Sequence, residues 1–499
     1  MSLDRKWQPM KWPCGPLEVA RRTKSGSMNS DAKEAIEAWG HASALELLKG
    51  TPVNCLVVPW AEGGPEDSAQ RQALQPLLEA GRRLGMSFVA KIASEADAAS
   101  AVAAARAAGF AAVMVENPSG QSFALPVIPQ FPRDKVAWEK TSTIFSSSEN
   151  VWPGLNLETM HGDTAVAGPT GIPWVNSNAW FALLAEELAP GRTLWLDFDP
   201  PAASTAAHPT GYALAVADSR AYGSRWIISL DDKLLAGLAK GNAQAKQVWQ
   251  DLCATLAFFE SHREWESLRA LGALAVVSDF RGENAYLSGE VLNLLNRRQV
   301  QFRVIERTRS LPTLTPSLRA ILWLDREAPS AEQRSRLLEF AQQGGLVIAA
   351  DYWGPAGVAP TKKDPALPYT MYNAGKGQIA VAVEGFQDPY QVAVDTHLLL
   401  SRRNDLVRLY NPETTNCHCS GDFSSPHEGK RLVQVLNYSS DRAESVTVWL
   451  NARVVSARLW RPEAKDARTL EGVAASPGTD FDLPPLSVYC ALEYEGTRL

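Results

Sequence analysis

TLWLDFDPP, residues 193–201, reads as a buried strand that ends in two carboxylates and a proline turn. Side chains of a strand alternate between faces, so Leu194, Leu196 and Phe198 share one face and Trp195, Asp197 and Asp199 the other. In a closed parallel barrel the apolar face packs on the surrounding helices. The other face points to the lumen and to the C-terminal rim, where such barrels hold their chemistry.

The flanking sequence supplies the remaining units of such a barrel. GPLEVARR (15–22) reads as a short strand before a helix over 31–49, and VNCLVVPWAE (53–62) as a strand closed by glycine and proline before a helix over 68–84. SFVAKIA (87–93) with a helix over 95–108, and FAAVMVENPSG (110–120), continue the pattern. After a long insertion come VWPGLN (151–156), IPWVNSN (172–178) with a helix over 179–188, the TLWLDFDPP strand with a helix over 211–222, and RWIISLDD (225–232) with a helix through 246–268. Strands alternating with helices at this spacing predict an α/β fold, a (β/α)8 TIM barrel over residues 1–268.

Beyond it, ALAVVSDF (273–280), QFRVIE (301–306), AILWLD (320–325), LVIAAD (346–351) and GQIAVAVE (377–384) alternate with helices over 283–297, 330–343 and 389–403. This predicts a doubly wound α/β domain over 270–405, of the flavodoxin or glutamine-amidotransferase-like kind. That kind can carry a cysteine nucleophile, but no cysteine lies between Cys253 and Cys417. From 406 to 499 the pattern turns to alternating strands split by Asp, Gly and Pro turns (RLVQVLNYS, ESVTVWLN, VVSARLWRP, LSVYCALEYE), which predicts a small all-β sandwich.

The 499 residues exceed one ordinary core, in keeping with three domains. A net charge of -6, with 21% charged and 45% hydrophobic residues, is that of a folded chain. No basic run suggests a nucleic-acid surface and no apolar run approaches the roughly 18 residues of a membrane span, so neither partner is expected. Six scattered cysteines form no disulfide framework. Compartment is open: cytoplasmic as the chain stands, secreted or periplasmic if a leader has been removed.

Strand ends carry the chemistry of a barrel, and here they are polar. Glu116 closes an apolar strand beside Asn117, and across the lumen stand Asp197 and Asp199 on the seventh strand. Carboxylates at the fourth and seventh strand ends suit glycosidic bond cleavage: one protonates the leaving oxygen, the other attacks the sugar or activates water. Lys91 shares the face of Val89 and should enter the lumen among these acids, as an ion-pair partner or a substrate contact. Glu62, Asn176 and Asp231 are further polar strand ends. Trp60, Trp152 and Trp174, among 16 Trp in all, could lie under sugar rings. Cys417, His418 and Cys419 in NCHC supply at most three ligands with no second pair nearby, and His161 and Asp163 in HGD are a weaker grouping. FRGEN (280–284) lacks a phosphate-loop spacing. No metal and no cofactor are expected.

The order of barrel, amidotransferase-like domain and closing β domain, with LVQVLNYS and DFDLPPLSVYCAL (480–492) near the end, resembles the family 42 β-galactosidases. The resemblance implies a glycoside hydrolase with a carbohydrate substrate, Glu116 as acid/base and Asp197 or Asp199 as nucleophile or base. It also implies a middle domain that serves homo-oligomer contacts. The chain departs from that family in having Glu116 before Asn117 where the family has Asn before Glu, and Asp where the family's nucleophile is Glu. The alternatives are a non-catalytic carbohydrate-binding or assembly protein with a degenerate barrel, or an enzyme of acidic sugars with Lys91 holding a carboxylate.

Overall fold

The computed structural model describes residues 3–93, 98–118, 122–160, 164–167, 174–201, 209–315, 317–353, 360–363, 368–412, 414–421 and 429–495. The chain divides into two compact units, one of residues 1–153 and 189–263, the other of residues 154–188 and 264–499.

The first unit holds eight parallel strands in sequence order: Pro9–Lys11, Cys55–Ala61, Ser87–Ile92, Ala112–Glu116, Val127–Pro132, Ile144–Ser148, Thr193–Leu196 and Arg225–Trp226. A parallel bridge between Met10 and Ile228 joins the last strand to the first: Ile228 N–H donates to the Pro9 carbonyl at 2.9 Å and Lys11 N–H to the Ile228 carbonyl at 2.8 Å. Trp7, Cys55, Val57, Val89, Ala112, Met114, Ile128, Ile144, Trp195 and Ile227 form one apolar cluster in the lumen. Trp195 thus faces inward, and Leu194, Leu196 and Phe198 are buried on the other face.

Three strand expectations are corrected. GPLEVARR is helical, within Gly15–Lys24, and Pro16 sits in its first turn, where a missing N–H costs nothing. The first strand is instead the three-residue Pro9–Lys11, too short to display an alternation. The fifth and sixth barrel strands are VIPQFP and IFSSS, inside the stretch read as an insertion. Strands Gly154–Met160, Thr164–Ala167 and Trp174–Asn176, which cover the expected fifth and sixth strands, pair antiparallel with one another in the second unit.

In the second unit, Phe302–Glu306, Leu274–Ser278, Ala320–Trp323, Leu346–Ala349 and Gly377–Ala382 lie side by side in that order and run parallel. Tyr369–Ala374 and Pro360–Lys363 extend this sheet antiparallel. Helices Glu283–Arg297, Ala331–Gln342 and Pro389–Leu400 accompany it, the second opened by a capping box of Ser330 and Gln333. A six-stranded and a four-stranded antiparallel sheet follow, sharing one core that includes Val407, Val433, Val435, Val448, Leu450, Phe481 and Leu492. Cys417 and Cys419 are part of that core on strand Thr415–Gly421, where burial pushes the Cys419 thiol up to about 12 and the His418 imidazole down to about 4. His161 and Asp163 lie outside the described residues. Among the described residues no helix is long and apolar enough to cross a membrane.

Candidate active site

Alternation along the barrel strands sets a polar layer directly above the apolar one. Two residues beyond Val89, Met114, Ile128, Ile144, Trp195 and Ile227 stand Lys91, Glu116, Gln130, Ser146, Asp197 and Ser229. The parallel register carries this layer around the wall, pairing Glu116 with Gln130 and Gln130 with Ser146. Lys11 joins from the end of the first strand.

The charges in this layer alternate. Lys11 Nζ lies 2.6 Å from Asp199 Oδ1 and 2.5 Å from Asp197 Oδ1; Lys91 Nζ lies 3.8 Å from Asp197 Oδ2 and 3.5 Å from Glu116 Oε1. The row therefore runs Asp199, Lys11, Asp197, Lys91, Glu116, with a carboxyl group at each end. Gln130 Nε2 donates to Asp197 Oδ2 at 2.8 Å, and Ser229 Oγ to Asp199 Oδ1 at 2.6 Å. Asn150 Nδ2 donates to the Asp197 carbonyl at 3.2 Å, steadying the strand end itself. Exposure grades outward: the Asp197 side chain is 8% exposed, Glu116 38% and Asp199 64%.

Burial acts to raise the Asp197 pKa, but Lys11 and Lys91 outweigh it and hold the carboxyl below the usual range. Asp199 is likewise pushed up by desolvation, then brought down to about 2 by Lys11 and the Ser229 hydroxyl. For Lys11, burial would favour loss of the proton, and the two aspartates reverse that, leaving its pKa well above the ordinary lysine value. Glu62 differs: desolvation leaves its carboxyl above the usual range despite Arg21 and Lys91 in its surroundings.

Glu116, Asp197 and Lys91 are thus brought together, with Asp199 linked to them through Lys11. Glu62 is exposed, in a turn whose Glu62 and Gly63 N–H groups donate to Asp67. Asn117 is exposed and takes a left-handed φ of 45° just past the strand. Trp60 is only 1% exposed: its Nε1 donates to the Ala101 carbonyl at 3.0 Å and its ring meets Phe110 edge-on at 4.7 Å, so it packs outside the barrel wall and not under a ligand. Trp152 is half-buried, edge-to-face with Phe198, Tyr212 and Trp226 at 5.5–5.9 Å. Asp231 caps the helix Asp232–Ala239, accepting from Leu234 N–H at 2.9 Å, and also accepts from the Tyr212 hydroxyl. Both of its carboxylate oxygens therefore serve the fold. Asn176 lies in the second unit, as does the backbone of Trp174, whose side chain is outside the description. Sequence reading missed Lys11, Gln130 and Ser229. Alternation from Ile128 and Ile227 could have found the last two; nothing local marks Lys11.

The chain is similar in fold to glycoside hydrolases. A β-galactosidase from Bacillus circulans sp. alkalophilus is 10% identical at a TM-score of 0.44, over 86% of this chain and 67% of that one. A catalytic mutant of a family 42 β-galactosidase from G. stearothermophilus is 11% identical at 0.43, over 87% and 67%. An exo-β-1,4-mannosidase from Opitutaceae bacterium strain TAV5 is 11% identical at 0.46, over 80% and 96%. No family model matches the chain, and no curated protein sequence does.

Proposed function

We propose that the protein is a glycoside hydrolase in which Glu116 is the general acid and Asp199 the nucleophile or base, at the C-terminal rim of the barrel. The observation that carries this reading is the alternating row of charges whose two open ends are carboxylates. Both Glu116 and Asp197 reach Lys91, at 3.5 and 3.8 Å, which ties the fourth-strand carboxylate to the seventh-strand end. Asp197, buried and bonded on both oxygens, positions its neighbours and leaves the accessible Asp199 as the partner of Glu116.

In the reaction, the Glu116 carboxyl gives its proton to the glycosidic oxygen as that bond breaks, and Asp199, kept ionised, attacks the anomeric carbon or takes a proton from water. Lys91 has contacts longer than a charge-assisted hydrogen bond, so it keeps donors for a sugar hydroxyl. Trp152 and the exposed Glu62 and Asn117 complete the rim. No step calls on a cofactor. Residues 1–268 form the catalytic part in this reading. The parallel sheet of 270–405 is an amidotransferase-like domain suited to homo-oligomer contacts, and 406–499 a β-sandwich.

The test is reducing-sugar release from a panel of oligosaccharides and aryl glycosides by wild type, Glu116→Gln and Asp199→Asn. Release by wild type that falls about 10²- to 10⁴-fold in Glu116→Gln, and comparably in Asp199→Asn, is the expected result. Saturable sugar binding with no release by any of the three would replace this reading with the non-catalytic one, which the close neutralisation of both aspartates by Lys11 favours.

A further inference from the structure

Lys11 stands outside every motif of the sequence, yet among the described residues it is the one group that touches both seventh-strand carboxylates. Its strand is the closing strand of the barrel, held to the eighth by two backbone hydrogen bonds on either side of Met10. The position of its ammonium is therefore tied to closure of the wall. It meets Asp197 Oδ1 and Asp199 Oδ1, and Ser229 donates to that same Asp199 oxygen. Asp199 Oδ2 has no hydrogen-bond or ion-pair partner among the described residues, and this side chain is the most exposed carboxylate of the row.

We propose that Lys11 is the positioning residue of this site: it pins one oxygen of Asp199 through the closing strand, so that the other is presented, ionised, to a ligand at the rim. The division of labour between Asp199 and Glu116 follows from it, because Lys11 neutralises the seventh-strand end and not the fourth. The proposal rests on the glycosidase reading for what Asp199 then does, but not for the pinning itself. Among the described residues, the groups that face Asp199 are Lys11 from the first strand, Ser229 beyond the eighth, Asp197 on its own strand, and Arg21 of the helix Gly15–Lys24 at longer range. With Lys11 gone, Arg21 still acts on Asp199 at longer range and Lys91 stays beside Asp197 and Glu116, while Asp197 still repels Asp199.

The experiment follows the aspartate side-chain carboxyls by ¹³C NMR through a pH titration of the full chain, with Asp199→Asn to assign the resonance. Lys11→Met should move the Asp199 midpoint up by about one pH unit or more, and Lys11→Arg should leave it low. An unmoved Asp199 midpoint in folded Lys11→Met overturns the proposal. Where Lys11→Met does not fold because Asp197 is left with too few partners, the double variant Lys11→Met/Asp197→Asn removes that burden and must show a raised Asp199 midpoint relative to Asp197→Asn alone. Turnover separates the two ideas. If no sugar is released by wild type but the midpoint moves, the pinning stands and the hydrolase reading falls. If wild type turns over, the acid limb of its kcat/KM profile should move with the Asp199 midpoint in Lys11→Met and stay in place in Lys11→Arg; a limb unmoved in both would remove Lys11 from the mechanism while leaving the hydrolase intact.

Discussion

Two tryptophans that the sequence places at barrel strand ends illustrate how little residue type alone decides. Trp60 and Trp152 read alike as platforms, but Trp60 is buried on the helical side of its strand, whereas Trp152 lies past the end of the sixth strand and is half-buried. Trp60→Ala should cost about 3–5 kcal/mol in urea denaturation, as removal of a large buried aromatic does, without a separate loss of sugar affinity. Trp152→Ala should instead weaken binding of whatever ligand the panel reveals, read as a rise in Kd or KM. Equal stability losses with unchanged affinity in both would retire Trp152 from the rim.

At the scale of elements, the misread fifth and sixth strands have a physical cause. VIPQFP carries Pro129 and Pro132, which break the usual strand composition and remove ladder donors, and IFSSS is mostly serine. Neither shows a period on its own, and both are admitted because neighbours on each side complete their hydrogen bonds. In the second unit, Gly377 opens the strand Gly377–Ala382 against the turn that ends the helix Ala331–Gln342. A Cβ there would fall on the carbonyl oxygens of Gly345 and Ala341. Backbone cannot step aside as a flexible side chain can, so Gly377→Ala should destabilise this sheet by about 1–3 kcal/mol, observable as a lower thermal midpoint. A midpoint equal to wild type would show that the hairpin can shift at no cost.

For the whole molecule, the charged layer makes acid stability a readable property. Asp197, Asp199 and Glu18 have folded pKa values below the ordinary carboxylate range, so their stabilisation is present above about pH 4 and is lost as pH falls through the folded values, about 2 for Asp199. Glu62, Glu187 and Asp395, raised by burial, gain on protonation and offset part of that loss near pH 4 to 5. Lys11 works in the opposite sense: its contribution is complete below the ordinary lysine pKa and is lost only as pH rises through its raised folded value. Thermal unfolding between pH 6 and 2 should thus show a midpoint that falls most steeply below pH 4, and a midpoint flat to pH 2 would contradict the paired state of these aspartates.

Much of the barrel and part of its site were legible in the chain itself, because alternation is a local property. The inward face of TLWLDFDPP, the entry of Lys91 among the acids, and Glu116 at the end of the fourth strand all follow from counting by twos along a strand. The seventh and eighth strands, and the five parallel strands of the second unit, were equally visible as apolar runs between helical periods. Closure was not. A three-residue first strand has no period to read, and its place beside Ile228 is decided by hydrogen bonds across 217 residues of sequence separation, from Lys11 to Ile228. Only the tertiary structure, by closing the wall there, could set the Lys11 ammonium between two carboxylates that the sequence places nearly two hundred residues away.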